Sequence, residues 1–231
     1  MNFRTVAVGT VVGLLVIGGT GCAGRNRLST YDFQRGSLAV VYDFPPHPEV
    51  LTGPYVPGHF RDPLHAIVRA GSQIVKEIEA RQVRRRLDSA AVLLNVSSRV
   101  ADGTGARAAR YLGARLTDKE EGADFILDIQ VRDYGIDAEE WDAAAHFFVV
   151  AEVVLLDGKD GRIIWETRVR DRDKITPAIL GWHSVSRNIV TAAALADLSV
   201  DDLVRALTRL ADYTADHVTR RLRDAVDDSR R

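Results

Sequence analysis

The sequence predicts an α+β fold: a small mixed sheet packed by long helices, with a helical extension at the C-terminal end. Two observations predict this fold. Three consecutive segments between Asp124 and Arg170 have strand patterning and are separated by short turns, which is typical of an antiparallel meander. Apolar residues at helical spacing come before the meander, from Leu64 onward, and after it, as far as Val226. A β-branched run at Ser37–Asp43 adds one N-terminal strand.

Composition excludes several classes of protein. The chain has 231 residues, with 31 Lys and Arg against 32 Asp and Glu, so it lacks the basic excess of a general nucleic-acid binder. Its 46% hydrophobic content excludes disorder over most of its length. A single cysteine excludes a disulfide framework and any site built from several cysteines.

The first residues have the pattern of an export signal. Arg4 is followed by the apolar run Val6–Ile17, whose 12 residues are fewer than the roughly 20 that a membrane-spanning helix needs. Small residues follow, and then the only cysteine, Cys22. We therefore predict that residues 1–21 are a signal peptide.

The run Thr20-Gly21-Cys22 resembles the processing site of bacterial lipoproteins, with Gly19 where that family prefers an aliphatic residue. The resemblance implies that Cys22 becomes the first mature residue and carries acyl chains such as palmitate. Ala23 after it implies the outer membrane, with the protein facing the periplasm. Acylation would also cap a thiol that is otherwise exposed in an oxidising compartment. The alternative is an ordinary signal cut near Gly21 or Ala23.

We divide the mature chain into a tether at 22–36, a domain at 37–175 and a helical segment at 176–231. The tether is polar and lacks apolar periodicity, and its last fourteen residues, fully extended, would reach at most about 45–50 Å.

Residues 44–63 contain six of the seven prolines, so we expect a long loop there without helix or central strand. Three aromatic residues lie on this loop: Phe44, Tyr55 and Phe60. The helix after it begins at Asp62-Pro63. It continues to Ala101 as one helix or as two that meet near Arg84, and Gly103 and Gly105 then break the chain.

We expect a short strand at 114–118 and longer strands at 124–135, 143–156 and 162–170. The strand at 143–156 is apolar on nearly every residue, so both of its faces should be buried. We also expect a helix at 179–198. Ser199 and Asp202 form a capping box for the last helix.

Two sequence stretches in this region resemble TolB amino-terminal-like domains. The stretch GADFILDIQV at 122–131 is similar to a strand of that family, and VVLLDGKDGRIIWE at 153–166 is similar to its hairpin. The same architecture occurs in lipoproteins that activate peptidoglycan synthases and in the lipoprotein subunit of the curli secretion channel. The resemblance implies assembly and protein contact in the envelope, without catalytic residues.

Reactive motifs are missing from the sequence: it has no Walker loop, HExxH or Gly-x-Ser-x-Gly. Three histidines lie in or beside the proline-rich loop and could bind zinc, although solvated loop histidines are the more common case. They are His47, His59 and His65, with Glu49 and Asp62 nearby. An acidic turn at 137–142 could hold a cation, but it is more simply a solvated turn. The arginines at 81–86 could meet anionic lipid, or form a solvated helix face.

We therefore predict a membrane-anchored, non-enzymatic envelope lipoprotein that acts as a scaffold or adaptor for an envelope protein, with no cofactor, metal or nucleic acid. The candidate partner-binding residues are Phe44, Tyr55 and Phe60 on the loop and Trp141 at the hairpin tip. One alternative is a carrier of lipid or another small hydrophobic ligand, lined by Phe147–Leu156. Another is an oligomeric subunit of an export assembly.

Overall fold

The computed structural model describes residues 26–52, 73–138, 144–174 and 197–230. Within these ranges, six strands form one mixed sheet, and long helices pack against it, which confirms the α+β prediction. The strands are β1 Ser37–Tyr42, β2 Glu49–Thr52, β3 Arg115–Thr117, β4 Phe125–Ala138, β5 His146–Asp157 and β6 Ile163–Lys174. The helices are α1 Gln73–Leu93, α2 Val96–Leu112 and α3 Val200–Ser229.

The strand order is β3-β1-β4-β5-β6, and β2 also pairs with β4. The three long strands β4, β5 and β6 are antiparallel, so the predicted meander is confirmed. β1 pairs in parallel with both β3 and β4. A long helical connection between β1 and β3 makes this parallel pairing possible.

β2 corrects the prediction that residues 44–63 form one long loop. It pairs in parallel with the end of β4, with Glu49 opposite Gly135. Gly135 is required by this approach, because a Cβ at that position would lie 1.9 Å from the carbonyl oxygen of Glu49. The strand has only four residues and lies at the side of the sheet, so the prolines around it break no central ladder.

The helices pack on one face of the sheet. Alternate residues of β4 and β5 point toward them and are buried, as the period of two requires. α3 buries one stripe along its length: Leu203, Leu207, Leu210, Thr214, Val218, Leu222 and Val226. Its N-terminus has the predicted capping box, in which Ser199 and Asp202 each accept a hydrogen bond from the other's backbone N–H.

The helix boundaries differ from the prediction. The break between α1 and α2 lies at Leu94–Asn95 rather than near Arg84, and Asn95 caps α2 by accepting a 2.9 Å hydrogen bond from the N–H of Ser98. Gly103 and Gly105 lie inside α2. They are there because of packing: an added Cβ would lie 2.9 Å from the Cβ of Ala215 at Gly103, and 2.6 Å from Cγ2 of Val40 at Gly105.

Several predictions fall wholly or mostly outside the described residues: the signal peptide at 1–21, Cys22, the loop beyond Thr52, the start of the first helix at Asp62-Pro63 and the helix at 179–198. Among the helices that the structure describes, none has the length and hydrophobicity needed to cross a bilayer.

Candidate interaction surfaces

Residues 26–36 pack against the domain. The N–H of Arg27 donates a 2.8 Å hydrogen bond to the carbonyl of Ile164 on β6. Asn26 forms a bridge with Trp165, and its side-chain amide donates to the carbonyl of Ala225 on α3 at 3.0 Å. Leu28 belongs to the buried core. The chain is therefore fixed to both β6 and α3 from Asn26 onward.

For residues 26–36, this docking corrects the prediction of a tether at 22–36, while residues 22–25 lie outside the described residues. Phe33 is also buried, and its ring lies 4.6 Å from that of Phe125. Only four peptide steps separate Cys22 from Asn26, and four residues reach at most about 14 Å. Cys22 can therefore lie at most about 14 Å from the docked chain, roughly a third of the 45–50 Å reach of the predicted tether.

Two cavities lie against the docked segment, with volumes of about 370 Å³ and 320 Å³. Charged and amide side chains line most of the larger one, including Asp32, Arg35, Asp124 and Lys159. Asp124 accepts hydrogen bonds from the backbone and the hydroxyl of Ser37, both at 2.9 Å, and these lower its pKa. Neither cavity is lined by the Phe147–Leu156 part of β5, which was expected to line a carrier's cavity; of β5, only its last residue, Asp157, lines the larger one.

Phe44 lies on the opposite side of the sheet from β6. It follows β1 and precedes β2, and both of these strands pair with β4. Its side chain is 90% exposed, and Tyr42, two residues earlier, is 43% exposed. Tyr55, Phe60 and Trp141 lie outside the described residues, so the structure does not test whether they join Phe44.

The face of the sheet away from the helices has carboxylates with raised pKa values. Burial raises the pKa of Asp133 to about 6, and the charge of Glu49 adds to the rise. Burial also raises the pKa of Asp128, while a 2.9 Å hydrogen bond from Gln130 opposes the change. Strict alternation along β4 would put Asp133 on the same face as Val131, but a bulge between these two residues moves it to the face of Asp128. Only the structure shows that Glu49 lies near enough to affect Asp133.

Asp137, the first residue of the predicted acidic turn, lies in β4 and is buried. Its carboxylate pairs with Arg172 on β6 at 2.7 Å, so it takes no part in a solvated turn. The rest of that turn, at 139–142, lies outside the described residues, as do His59, Asp62 and His65 of the possible zinc set. The described residues contain no group of acidic, histidine or cysteine side chains suited to a metal ion.

A polar contact that we did not predict from the sequence joins β6 to α3. Asp171 is buried on the helix-facing side of β6, and its Oδ1 lies 2.6 Å from Nδ1 of His217. With Nδ1 donating to the carboxylate, Nε2 accepts from Nε of Arg221 at 3.4 Å. Oδ2 of Asp171 is buried without a hydrogen-bond partner in the described part of the chain. The only available signal was the position of His217 on the apolar stripe of α3.

Comparison with known proteins identifies no family. No protein-family model matches the chain, and no curated protein matches it. Solved structures with a similar arrangement include a candidate lipoprotein from Caulobacter crescentus, with 17% identity and a TM-score of 0.32 over 54% of this chain and 81% of that one. A protein from Xanthomonas campestris has 16% identity and a TM-score of 0.33 over 82% and 89% of the two chains.

A lipoprotein from Neisseria meningitidis has 18% identity and a TM-score of 0.24 over 60% of this chain and 83% of that one. Proteins named as bacterial lipoproteins are therefore among the solved structures that this chain resembles. Because the identities and TM-scores are this low, the similarities assign neither a family nor a function.

Proposed function

We propose that this protein is an outer-membrane lipoprotein, anchored through acyl chains on Cys22 and facing the periplasm, that acts as a non-enzymatic adaptor for an envelope protein. The observation that carries the proposal is that the residues next to Cys22 and the exposed Phe44 lie at opposite sides of the sheet. Asn26, four residues after Cys22, is fixed at β6, while Phe44, the most exposed aromatic side chain among the described residues, lies at the opposite side. The anchor and the binding surface are therefore separated by the width of the sheet.

Exposure supports the role of Phe44 in protein binding. A phenylalanine side chain that is 90% exposed leaves most of its apolar area in contact with water. Exposed aromatic residues often mark contact sites. Phe44 is flanked by Asp43 and followed by Pro45 and Pro46. An aromatic residue surrounded by polar and rigid neighbours resembles the centre of a protein interface with a polar rim.

The anchor is tested by metabolic labelling with radioactive palmitate. Wild-type protein should incorporate the label, and the Cys22→Ser variant should not. Equal labelling of the two proteins, or no labelling of the wild type, would overturn the anchor.

The adaptor role is tested by envelope cross-linking followed by mass spectrometry. The Phe44→Ser variant should lose most of the cross-linked partner that the wild type recovers. Tyr213→Ser is the matched control, because Tyr213 is an aromatic residue that is 47% exposed on α3, away from the proposed surface. Recovery of the same partner by a folded Phe44→Ser variant would overturn the role of this surface.

A further inference from the structure

We propose that the β6 edge of the sheet contacts the headgroups of anionic phospholipids in the membrane that holds Cys22, so that the sheet stands on this edge and Phe44 points away from the bilayer. The inference rests on the proposed lipid anchor and adds to it the orientation of the domain and the chemistry of the contacted surface.

The length of the connection limits which surface can face the membrane. Asn26 is hydrogen-bonded to α3 and bridged to Trp165, the third residue of β6. Cys22 can lie at most about 14 Å from Asn26. The headgroup layer on each side of a bilayer is itself about 5–8 Å thick. Little distance then remains between the headgroup layer and Asn26, so the surface near the start of β6 must lie at the headgroups.

The exposed residues of this surface are strongly basic. Every second residue in the later part of β6 is an arginine on the face away from α3: Arg168, Arg170 and Arg172. Arg162 comes just before the strand. Along residues 162–173, the exposed charged side chains are these four arginines and one aspartate, Asp173. Successive arginines of the row are about 7 Å apart, since alternate strand residues share a face.

Three of these arginines pair with carboxylates that are less exposed than the arginines themselves. Arg162 is 72% exposed, and its partner Asp160 is 42% exposed. Arg168 is 64% exposed and lies 3.6 Å from Glu152, which is 34% exposed. Arg172 is 37% exposed and pairs with Asp137, which is 11% exposed. The outermost charge on this edge is therefore positive, and it complements the negative surface potential of an anionic leaflet.

The opposite side of the sheet is too distant to make the same contact. Moving from β6 to β1 crosses three strand spacings, about 14 Å in total, before the exposed side chain of Phe44 is reached. The anchor therefore places the two proposed surfaces at different depths.

Fluorescence quenching by headgroup-labelled lipid measures these depths. Because lipidation blocks the sulfur of Cys22, an introduced cysteine is the only thiol that reacts with a fluorophore. The acylated full-length mature protein carries a label at Glu166→Cys on β6 or at Phe44→Cys, and is placed in phosphatidylethanolamine vesicles with or without about one-third phosphatidylglycerol. Intact mass measurement establishes acylation of Cys22 independently.

We expect the β6 label to be quenched at least about threefold more than the Phe44 label, and to lose about half of that difference without phosphatidylglycerol. The same loss is expected for the triple variant Arg162→Gln/Arg168→Gln/Arg170→Gln.

The matched control is the triple variant Arg84→Gln/Arg85→Gln/Arg110→Gln. It removes three exposed arginines from the helices and should leave quenching unchanged. Two results on an acylated protein overturn the orientation alone: equal quenching of the two labels, or unchanged quenching of the β6 label when the three β6 arginines are replaced. Absence of acyl mass on Cys22 overturns the anchor and the orientation together.

Discussion

The carboxylate of Asp171 on β6 lies 2.6 Å from Nδ1 of His217 on α3. It links the edge strand to the helix that covers it, in a part of the core where Asp171 is almost inaccessible to solvent. We expect His217→Leu to reduce the free energy of unfolding by about 3 kcal/mol, because the buried carboxylate loses its hydrogen-bond donor. Urea denaturation monitored by circular dichroism measures this change.

The double variant Asp171→Leu/His217→Leu serves as the control for this contact. It removes both polar groups together and should be more stable than His217→Leu alone. Additive losses from the two single substitutions would show that the residues do not interact.

Gly105 allows α2 to pack closely on β1. An alanine at an ordinary helix position stabilises a helix by about 1 kcal/mol relative to glycine. Gly105→Ala should instead destabilise the protein by about 1–3 kcal/mol, since its Cβ would lie 2.6 Å from Val40. The unfolding free energy of the variant tests this. Ala106→Gly, at the exposed neighbouring position, gives the ordinary helix effect, and Val40→Ala should cost less in the Gly105→Ala background than in the wild type.

Asp133 should make stability depend on pH. Its pKa is about 6 in the folded state because of burial and the charge of Glu49, against about 3.9 in the unfolded chain. Between these values the folded state binds more protons, so the contribution of Asp133 to stability falls as pH rises from about 4 to 6 and is least favourable above 6.

We therefore expect Asp133→Asn to be more stable than the wild type at pH 7.5, and the difference to vanish below about pH 4. Glu49→Gln should reduce the slope of the unfolding free energy against pH, because it removes the second cause of the raised pKa of Asp133. Chemical denaturation over this pH range measures the effect. An unchanged slope in Asp133→Asn would assign the pH dependence to other groups.

The docked N-terminal segment should depend on Leu28, which is 3% exposed. We expect Leu28→Ala to cost about 2–4 kcal/mol and to increase hydrogen exchange at the amide of Arg27, which donates to Ile164. Ser29→Ala, at the exposed next position, is the control and should change neither quantity. Slow exchange at Arg27 in Leu28→Ala would mean that the segment is held by other contacts.

The elements with regular patterns could be predicted from the sequence. Alternation along β4 and β6 identified the meander, and Ser199 with Asp202 located the start of α3, because these signals depend on residues close together in the chain. Gly103 and Gly105 were misread since their role comes from Val40 and Ala215, which are distant in sequence. Leu28 and Phe33 gave no periodic signal, and β2 was too short to stand out among prolines.

The candidate site was less predictable than the fold. The exposure of Phe44 agrees with the sequence expectation, but its position relative to Asn26 depends on the order of strands in the sheet. The pair Asp171 and His217 is separated by 46 residues and has no local signature. The arginines of β6 recur at every second residue of the sequence, yet we expected possible lipid contact only for the arginines at 81–86.

The parallel pairing of β2 has a consequence for recognition through Phe44. Residues 43–48 form a closed segment, since β1 and β2 attach both of its ends to β4. Three of its six residues are prolines, whose backbone torsion φ is fixed by the ring. A partner that takes up the Phe44 ring would then meet a nearly rigid epitope, and little chain entropy would be lost when the complex forms.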